Sequence, residues 1–453
     1  MPKFKRSAVL ACSPSALSQW HYRPGAFTRL SPPWESVREL EPTHPILLGR
    51  EPLLEIQAGP LKRKWQVAYP KATPEEFIDS QTSGPFAHWE HRHRFLEEKE
   101  GSLLEDEIDY RLPLAPLSQW FAGRFVQNKL ERMFRYRHEV TRLDLETLPP
   151  TPRPLHVLLT GASGMIGRAL KALLQTQGHQ VTGLTRSPKE ADEIGWNPAQ
   201  GQLDLSSLLP LDAVVHLAGA NVSAQRWTPG YRKLILESRT VATQLLAERL
   251  AALPSPPAVF LSASGANFYP LDGQPHTEEG PQGDSFLAQV VGEWEAASQA
   301  VESFARRALF RLGVVLSPGG GALRKLLPLF QLGLGGPVGH GRQYLPWISI
   351  DDAVLLLYHA LLDARYQGPL NAVAPDMQTS RGFGQVLGKV LRRPALLPAP
   401  AFALKAVFGQ MAEETLLGSV QARPARLQEL QFPFRYPKLE PALHHLLGRA
   451  ARP

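Results

Sequence analysis

The residues with the most pointed chemistry lie in Leu158-Leu159-Thr160-Gly161-Ala162-Ser163-Gly164-Met165-Ile166-Gly167. A short apolar run, His156 to Thr160, precedes the glycines, and helical periodicity from Met165 to Gln177 follows them. The first glycine permits a tight turn, the second lets backbone approach a pyrophosphate, and the third lets the helix pack on the strand. The amides and dipole at the start of that helix attract phosphate. With a strand before it and a helix after it, the GxxGxxG turn reads as a dinucleotide site. Gly161, Ser163, Gly164, Met165, Ile166 and Gly167 are its candidate contacts.

The next strand, Gln180 to Thr185, ends in Arg186-Ser187-Pro188-Lys189. An acidic residue there would bind the ribose hydroxyls of NAD. Arg186 instead suits a 2′-phosphate held bidentately, so NADP is expected over NAD. Small residues Ala218 and Gly219, after the strand Ala213 to Leu217, allow close approach to the adenosine ribose and nicotinamide. Leu217 and Ser262 complete the candidate cofactor contacts.

These groups need a scaffold. Strand candidates at 156–160, 180–185, 213–217 and 259–262 alternate with helical stretches, which predicts a parallel, doubly wound α/β sheet. Four prolines in residues 147–154 predict a stiff linker. Before it, 61–67, 87–95 and 103–110 read as strands. Residues 117–142 read as a helix with Trp120, Phe121, Phe125, Val126, Leu130 and Phe134 on its spacing. The predicted domains are therefore 1–146, an α+β module; 147–154, a linker; 155–390, the nucleotide domain; and 391–453, a small C-terminal subdomain.

Composition narrows the classes further. The 453 residues are 43% hydrophobic and 20% charged, with one cysteine, Cys12. A disulfide framework within the chain is excluded, and a reducing cytoplasmic setting is expected. No run of about 18 apolar residues predicts a membrane span. The net charge is +7. Residues 1–150 hold 21 basic and 20 acidic side chains, leaving 28 and 22 for the rest. The excess thus accompanies the predicted NADP domain, and no Lys/Arg run points to nucleic acid.

The second half resembles an extended short-chain dehydrogenase/reductase of the NAD-dependent epimerase/dehydratase superfamily. The resemblance rests on Thr160–Gly167, His216–Ala220, Ser262-Ala263-Ser264, Arg311–Leu316 and Trp347–Asp352. It is most similar to an atypical epimerase-like subfamily with Phe-Leu, six residues and Trp-Glu, here Phe286-Leu287 to Trp294-Glu295. The stretch from Leu391 to Leu447 is similar to that subfamily's tail. Residues 21–27, 30–34, 84–91 and 134–138 resemble a START-like, polyketide-cyclase-like (SRPBCC) module. The resemblance implies a Rossmann-type domain preceded by a helix-grip α+β domain.

Ordinary superfamily members use a Tyr-x-x-x-Lys pair for proton exchange. The matching positions here are Phe286 and Val290, which carry no exchangeable proton. Ser264, at the family's hydroxyl position, and Tyr269, five residues on, are the candidate replacements, with His276, Glu278 and Glu279 behind them. A reductase without such an acid, or an NADP-binding sensor acting on no substrate, are the other readings. Arg239 is expected on a helix flanking the cofactor, or in a surface ion pair. Residues 317–347, rich in glycine, read as a substrate loop. Asp351 and Asp352 read as helix caps rather than metal ligands. The ligand is an unidentified small molecule, and the oligomeric state is open.

In the N-terminal part, His88-Trp89-Glu90-His91-Arg92-His93 puts His91 and His93 on one strand face with Trp89. A cavity lining or hydrogen-bonded polar layer is expected there ahead of a metal, for which no third ligand is identifiable. Trp20, Tyr22, Phe27, Trp34, Trp65, Phe86 and Trp89 either shape an apolar pocket or fill a core.

Overall fold

The computed structural model describes residues 2–58, 61–113, 117–208 and 210–449, without the side chains of 58, 117–121 and 207. Two compact units emerge. One comprises 1–150 with 172–178 and 447–450, and the other 151–171, 179–446 and 451–453.

The first unit is a seven-stranded sheet, antiparallel throughout, in the order β1-β7-β6-β5-β4-β3-β2. Its strands are β1 (Lys3–Leu10), β2 (Val37–Glu39), β3 (Leu53–Ala58), β4 (Leu61–Thr73), β5 (Glu76–Ser83), β6 (His88–Glu98) and β7 (Gly101–Arg111). Helices α1 (Pro14–Tyr22), α2 (Ala26–Leu30) and the 30-residue α3 (Leu117–Glu146) accompany it. Strand β6 alternates as its sequence requires, burying Trp89, His91, His93 and Phe95. On α3, Leu130 and Phe134 are buried, but Phe125 is 70% exposed, so the expected apolar stripe is interrupted there. Trp120 and Phe121 lie outside the described side chains.

The second unit is an eight-stranded sheet in the order β11-β10-β9-β8-β12-β13-β15-β19. Its first elements are β8 (His156–Thr160), α4 (Met165–Thr176), β9 (Gln180–Thr185), β10 (Glu193–Asn197), β11 (Gln202–Leu203) and β12 (Ala213–His216). Next come α5 (Pro229–Ala251), β13 (Val259–Gly265), β14 (Asp272–His276), α6 (Phe286–Ala297), β15 (Arg306–Leu312), β16 (Val314–Leu316) and α7 (Gly321–Gln331). After β17 (Tyr344–Leu345) and β18 (Trp347–Ser349) come α8 (Ile350–Leu362) and β19 (Gly368–Ala372). The strands run parallel except at the β10–β11 edge. Val157, Leu158 and Leu159, like Val214 and Val215, are fully buried, which is why these strands read as unbroken apolar runs. The C-terminal part adds β20 (Gln378–Thr379), α9 (Ser380–Leu391), α10 (Ala401–Phe408), α11 (Gln410–Thr415), β21 (Ser419–Ala422), α12 (Ala425–Glu429) and α13 (Leu439–Leu446). Strand β21 returns to pair with β14, and β20 with β17. Among the described residues no helix is long and apolar enough to cross a membrane.

The expected substrate loop is corrected here. Residues 321–331 are helix α7, with Leu323, Leu327 and Phe330 buried at helical spacing. The capping expectation at 351–352 is also corrected: the N-cap of α8 is Ser349, whose hydroxyl oxygen accepts from Asp352 N at 2.9 Å, while Asp351 and Asp352 lie in the first turn and the Asp352 carboxylate accepts from Arg435 N and Tyr436 N.

Candidate functional site: a glycine turn and a buried polar relay

Strand β8 ends at Thr160 and delivers the turn to the C-terminal end of the sheet. Gly161 has φ +70°, and a Cβ there would lie 3.0 Å from the Leu217 carbonyl. Gly164 N donates to Gly161 O at 2.9 Å and closes the turn before α4 begins at Met165. A Cβ on Gly167 would lie 2.2 Å from Gly161 O, so only glycine lets α4 sit this close to the strand. Ser163 and Gly164 are exposed, and Met165 and Ile166 half-buried, which leaves the rim open. The turn at 317–321 approaches it, since a Cβ on Gly320 would lie 3.0 Å from Met165 Sδ.

The Thr160 side chain holds the neighbouring strand end in place. Its oxygen accepts from Leu217 N at 3.0 Å and Ala218 N at 3.1 Å. Its hydroxyl proton then goes to His216 Nδ1, 2.8 Å away. That leaves His216 Nε2 as donor to Thr243 Oγ1 at 3.0 Å. Thr243 also accepts from Trp294 Nε1 at 3.1 Å and donates to Arg239 O at 2.6 Å. Nothing in the spacing of Thr160, His216 and Thr243 reveals this network, because its members lie far apart along the chain.

Burial, reinforced by the Arg239 charge, pushes the His216 pKa down to about 4. An unfolded imidazole takes up its proton near pH 6.5, which the folded one refuses until about pH 4. Stability is therefore full above pH 6.5 and falls as pH drops toward 4, by about 3 kcal/mol from this group. In urea unfolding across that window, His216→Asn is expected to flatten the wild-type slope by that amount. An unchanged slope would contradict this.

Arg186 is exposed just beyond β9, with Ser187 and Lys189 beside it, also exposed. Arg239 is not in a surface ion pair. It donates to the Ile235 and Ala220 carbonyls at 2.9 and 3.1 Å and lies against exposed Gly219. Ala218 and Leu217 are half-buried at the same edge. Ser262 is 1% exposed and gives its hydroxyl to Ala263 O at 3.0 Å.

Ser264 and Tyr269 belong to one buried relay. Ser264 Oγ donates to Glu295 Oε1 at 2.6 Å. Arg311 grips Glu295 bidentately, with Nε to Oε1 and Nη2 to Oε2 both at 2.9 Å. Arg311 Nη1 donates to the Tyr269 hydroxyl at 2.9 Å, and that hydroxyl donates to Asn371 Oδ1 at 2.7 Å. The guanidinium also stacks 3.5 Å from the Phe268 ring centre. Tyr269 is fully buried. Burial pushes its pKa up, against the pull of Arg311 and Asn371. Tyr269, a candidate proton donor from sequence, is thus a packed interior residue. His276 and Glu278 are buried as well: His276 Nε2 lies 3.0 Å from Asp272, and Glu278 accepts from Asn371 N at 3.0 Å. Glu295 and Arg311 stood inside quoted motifs, but nothing in their spacing revealed the pair.

Phe286 and Val290 begin α6, Val290 being buried. Further along, a cleft of about 670 Å³ is lined by His340, Gly341, Arg342, Tyr344, Thr379 and Arg381.

Residues 157–371 match the NAD dependent epimerase/dehydratase family, 14–136 the polyketide cyclase/dehydrase and lipid transport family, and 399–446 a domain of unknown function. An epimerase family protein of Mycobacterium bovis is 37% identical over 296 residues, 65% of this chain and 98% of that protein. The human epimerase family protein SDR39U1, solved with NADPH, is 37% identical with a TM-score of 0.60, covering 64% of this chain and 99% of that one. A nucleoside-diphosphate sugar epimerase from Corynebacterium glutamicum is 31% identical with a TM-score of 0.80, covering 98% of this chain and 90% of that one. With the glycine turn, the parallel sheet and relatives matched over nearly their whole length, the chain belongs to the epimerase family, and its N-terminal unit is of the polyketide-cyclase, START-like type.

Proposed function

We propose that this protein binds NADP(H) at the glycine turn and acts as an epimerase-type oxidoreductase on a small molecule. The observation that carries the reading is the pairing of that turn with an exposed arginine just past β9. A 2′-phosphate placed there meets a planar, permanently charged fork. The NADPH complex of the human relative supports the same cofactor. On this reading residues 1–146 form a small-molecule module, joined by 147–154 to the nucleotide domain at 155–390, with 391–453 completing it.

Ser264 is the proposed proton carrier, because it stands at the family's hydroxyl position and its hydroxyl is held in place by Glu295. Tyr269 then serves as a positioning residue, setting Arg311 and through it Glu295. Arg342 and Arg381 fit the cleft they line to an anionic substrate. A second reading, an NADP(H) sensor with little turnover, is favoured by Phe286 and Val290 and by the burial of Tyr269.

Fluorescence titration with NADPH and NADH tests the cofactor. Arg186→Ala is expected to weaken NADPH at least tenfold and leave NADH unchanged, consistent with about 1.5–3 kcal/mol for a charge-assisted hydrogen bond. Equal wild-type affinity for both nucleotides would overturn the assignment. NADPH consumption against a metabolite panel separates the enzyme from the sensor, for which binding raises only the melting temperature.

A further inference from the structure

The N-terminal unit buries a compact group of ionisable side chains that the nucleotide chemistry does not use. The β5–β6 register sets Asp79 opposite His91, and the β6–β7 register sets His93 opposite Asp106. All four project to the inner face, and both histidines are under a tenth exposed. Asp79 Oδ2 lies 3.1 Å from His91 Nδ1 and 3.0 Å from His93 Nε2. Asp106 Oδ1 lies 3.0 Å from His91 Nε2 and 2.9 Å from His93 Nδ1. His138 Nε2 closes on the other Asp106 oxygen at 2.6 Å.

Neutral imidazoles carry one N–H each, so two rings supply two donors to four such contacts. The other two contacts set a lone pair against a carboxylate oxygen unless a cation intervenes. Arg137 lines a small cavity beside His93, Asp106 and His138.

We propose that Asp79, His91 and His93 bind a divalent transition metal of the zinc class. Tetrahedral zinc with bonds of about 2.1 Å sets its ligand atoms about 3.4 Å apart, so the 3.1 and 3.0 Å contacts of Asp79 Oδ2 need open by only a few tenths of an ångström to admit it. With the metal on His91 Nδ1 and His93 Nε2, His91 Nε2 is left to donate to Asp106 at 3.0 Å, while His93 Nδ1, 2.9 Å from the same oxygen, makes no hydrogen bond. Asp106 is the outer carboxylate that metal-bound histidines ordinarily recruit. His138 in turn fixes Asp106. Among the described residues, no other three metal-ligating side chains converge in this way.

The full chain, purified without a histidine tag and stripped with a chelator, is to be titrated with Zn²⁺ and Co²⁺. The expected result is one zinc per chain. His93→Gln and Asp79→Asn should each lose it at least tenfold in affinity, with Asp106→Asn weakening it about tenfold. X-ray absorption of the zinc-loaded wild type should show two imidazoles and oxygen donors, a readout that needs no variant to fold. Substoichiometric zinc, binding that persists in both ligand variants, or an absorption spectrum without imidazole would overturn the site and leave a proton-sharing network in its place.

Discussion

Glu295→Ala is expected to lower the thermal midpoint by about 6–20 °C. Glu295 and Arg311 are 13% and 5% exposed, so the pair is held out of water. Burial opposes the charge on Arg311, and the doubly bonded Glu295 outweighs it, raising its pKa. Removing the carboxylate leaves a buried guanidinium without a counter-charge, a loss of about 3–5 kcal/mol. In a unit of this size each kcal/mol is worth about 2–4 °C. The damage spreads further, because Ser264 loses its acceptor and Tyr269 loses a fixed donor. Removing both charges together, as Glu295→Leu with Arg311→Met, is expected to cost less than Glu295→Ala alone, since no uncompensated ion remains. A Glu295→Ala loss under about 1 kcal/mol in chemical unfolding would show that the pair does not hold this end of the sheet.

That pair also marks the limit of what the chain discloses before it folds. Strands β8 and β12 were legible because burial on both faces demands an apolar run, and Gly161 and Gly167 because backbone clashes leave no room for a Cβ. Strand β5 was not, since only Phe77 and Ile78 of its eight residues are buried. Strand β1 begins Lys3-Phe4-Lys5-Arg6, charges that an edge strand tolerates on its outer face but that mask its period. Helix α7 was hidden by the glycines before it and by Pro328 within it, although Leu323, Leu327 and Phe330 keep helical spacing. The candidate chemistry was least visible, because it rests on register. His91 and His93 share a face by simple alternation, but Asp79 meets them only through the β5–β6 pairing. Ser264 and Glu295 are 31 residues apart and carry no periodic signal of their partnership. Periodicity reports which side of an element is buried. It does not report which polar groups two elements bring together.

Gly167→Ala is expected to abolish NADPH binding within the range of a titration, at least 100-fold, and to cost about 3 kcal/mol of stability. A new Cβ would sit 2.2 Å from Gly161 O and 2.9 Å from Ala162 Cα, both backbone atoms that no rotamer change can clear. Relief requires α4 to shift away from β8. That shift would carry Met165 and Ile166, and with them the amides proposed to meet the pyrophosphate. Gly164→Ala is the matched control. Its Cβ would meet Gly161 O at 3.1 Å, at an exposed position where the chain can yield by a few tenths of an ångström. It should keep most of the stability while still weakening NADPH, because side-chain bulk would stand between backbone and phosphate. The two variants thus separate packing from access: Gly167→Ala should fail on both counts and Gly164→Ala mainly on affinity. If Gly167→Ala bound NADPH like the wild type, the pyrophosphate would have to lie elsewhere than on this turn.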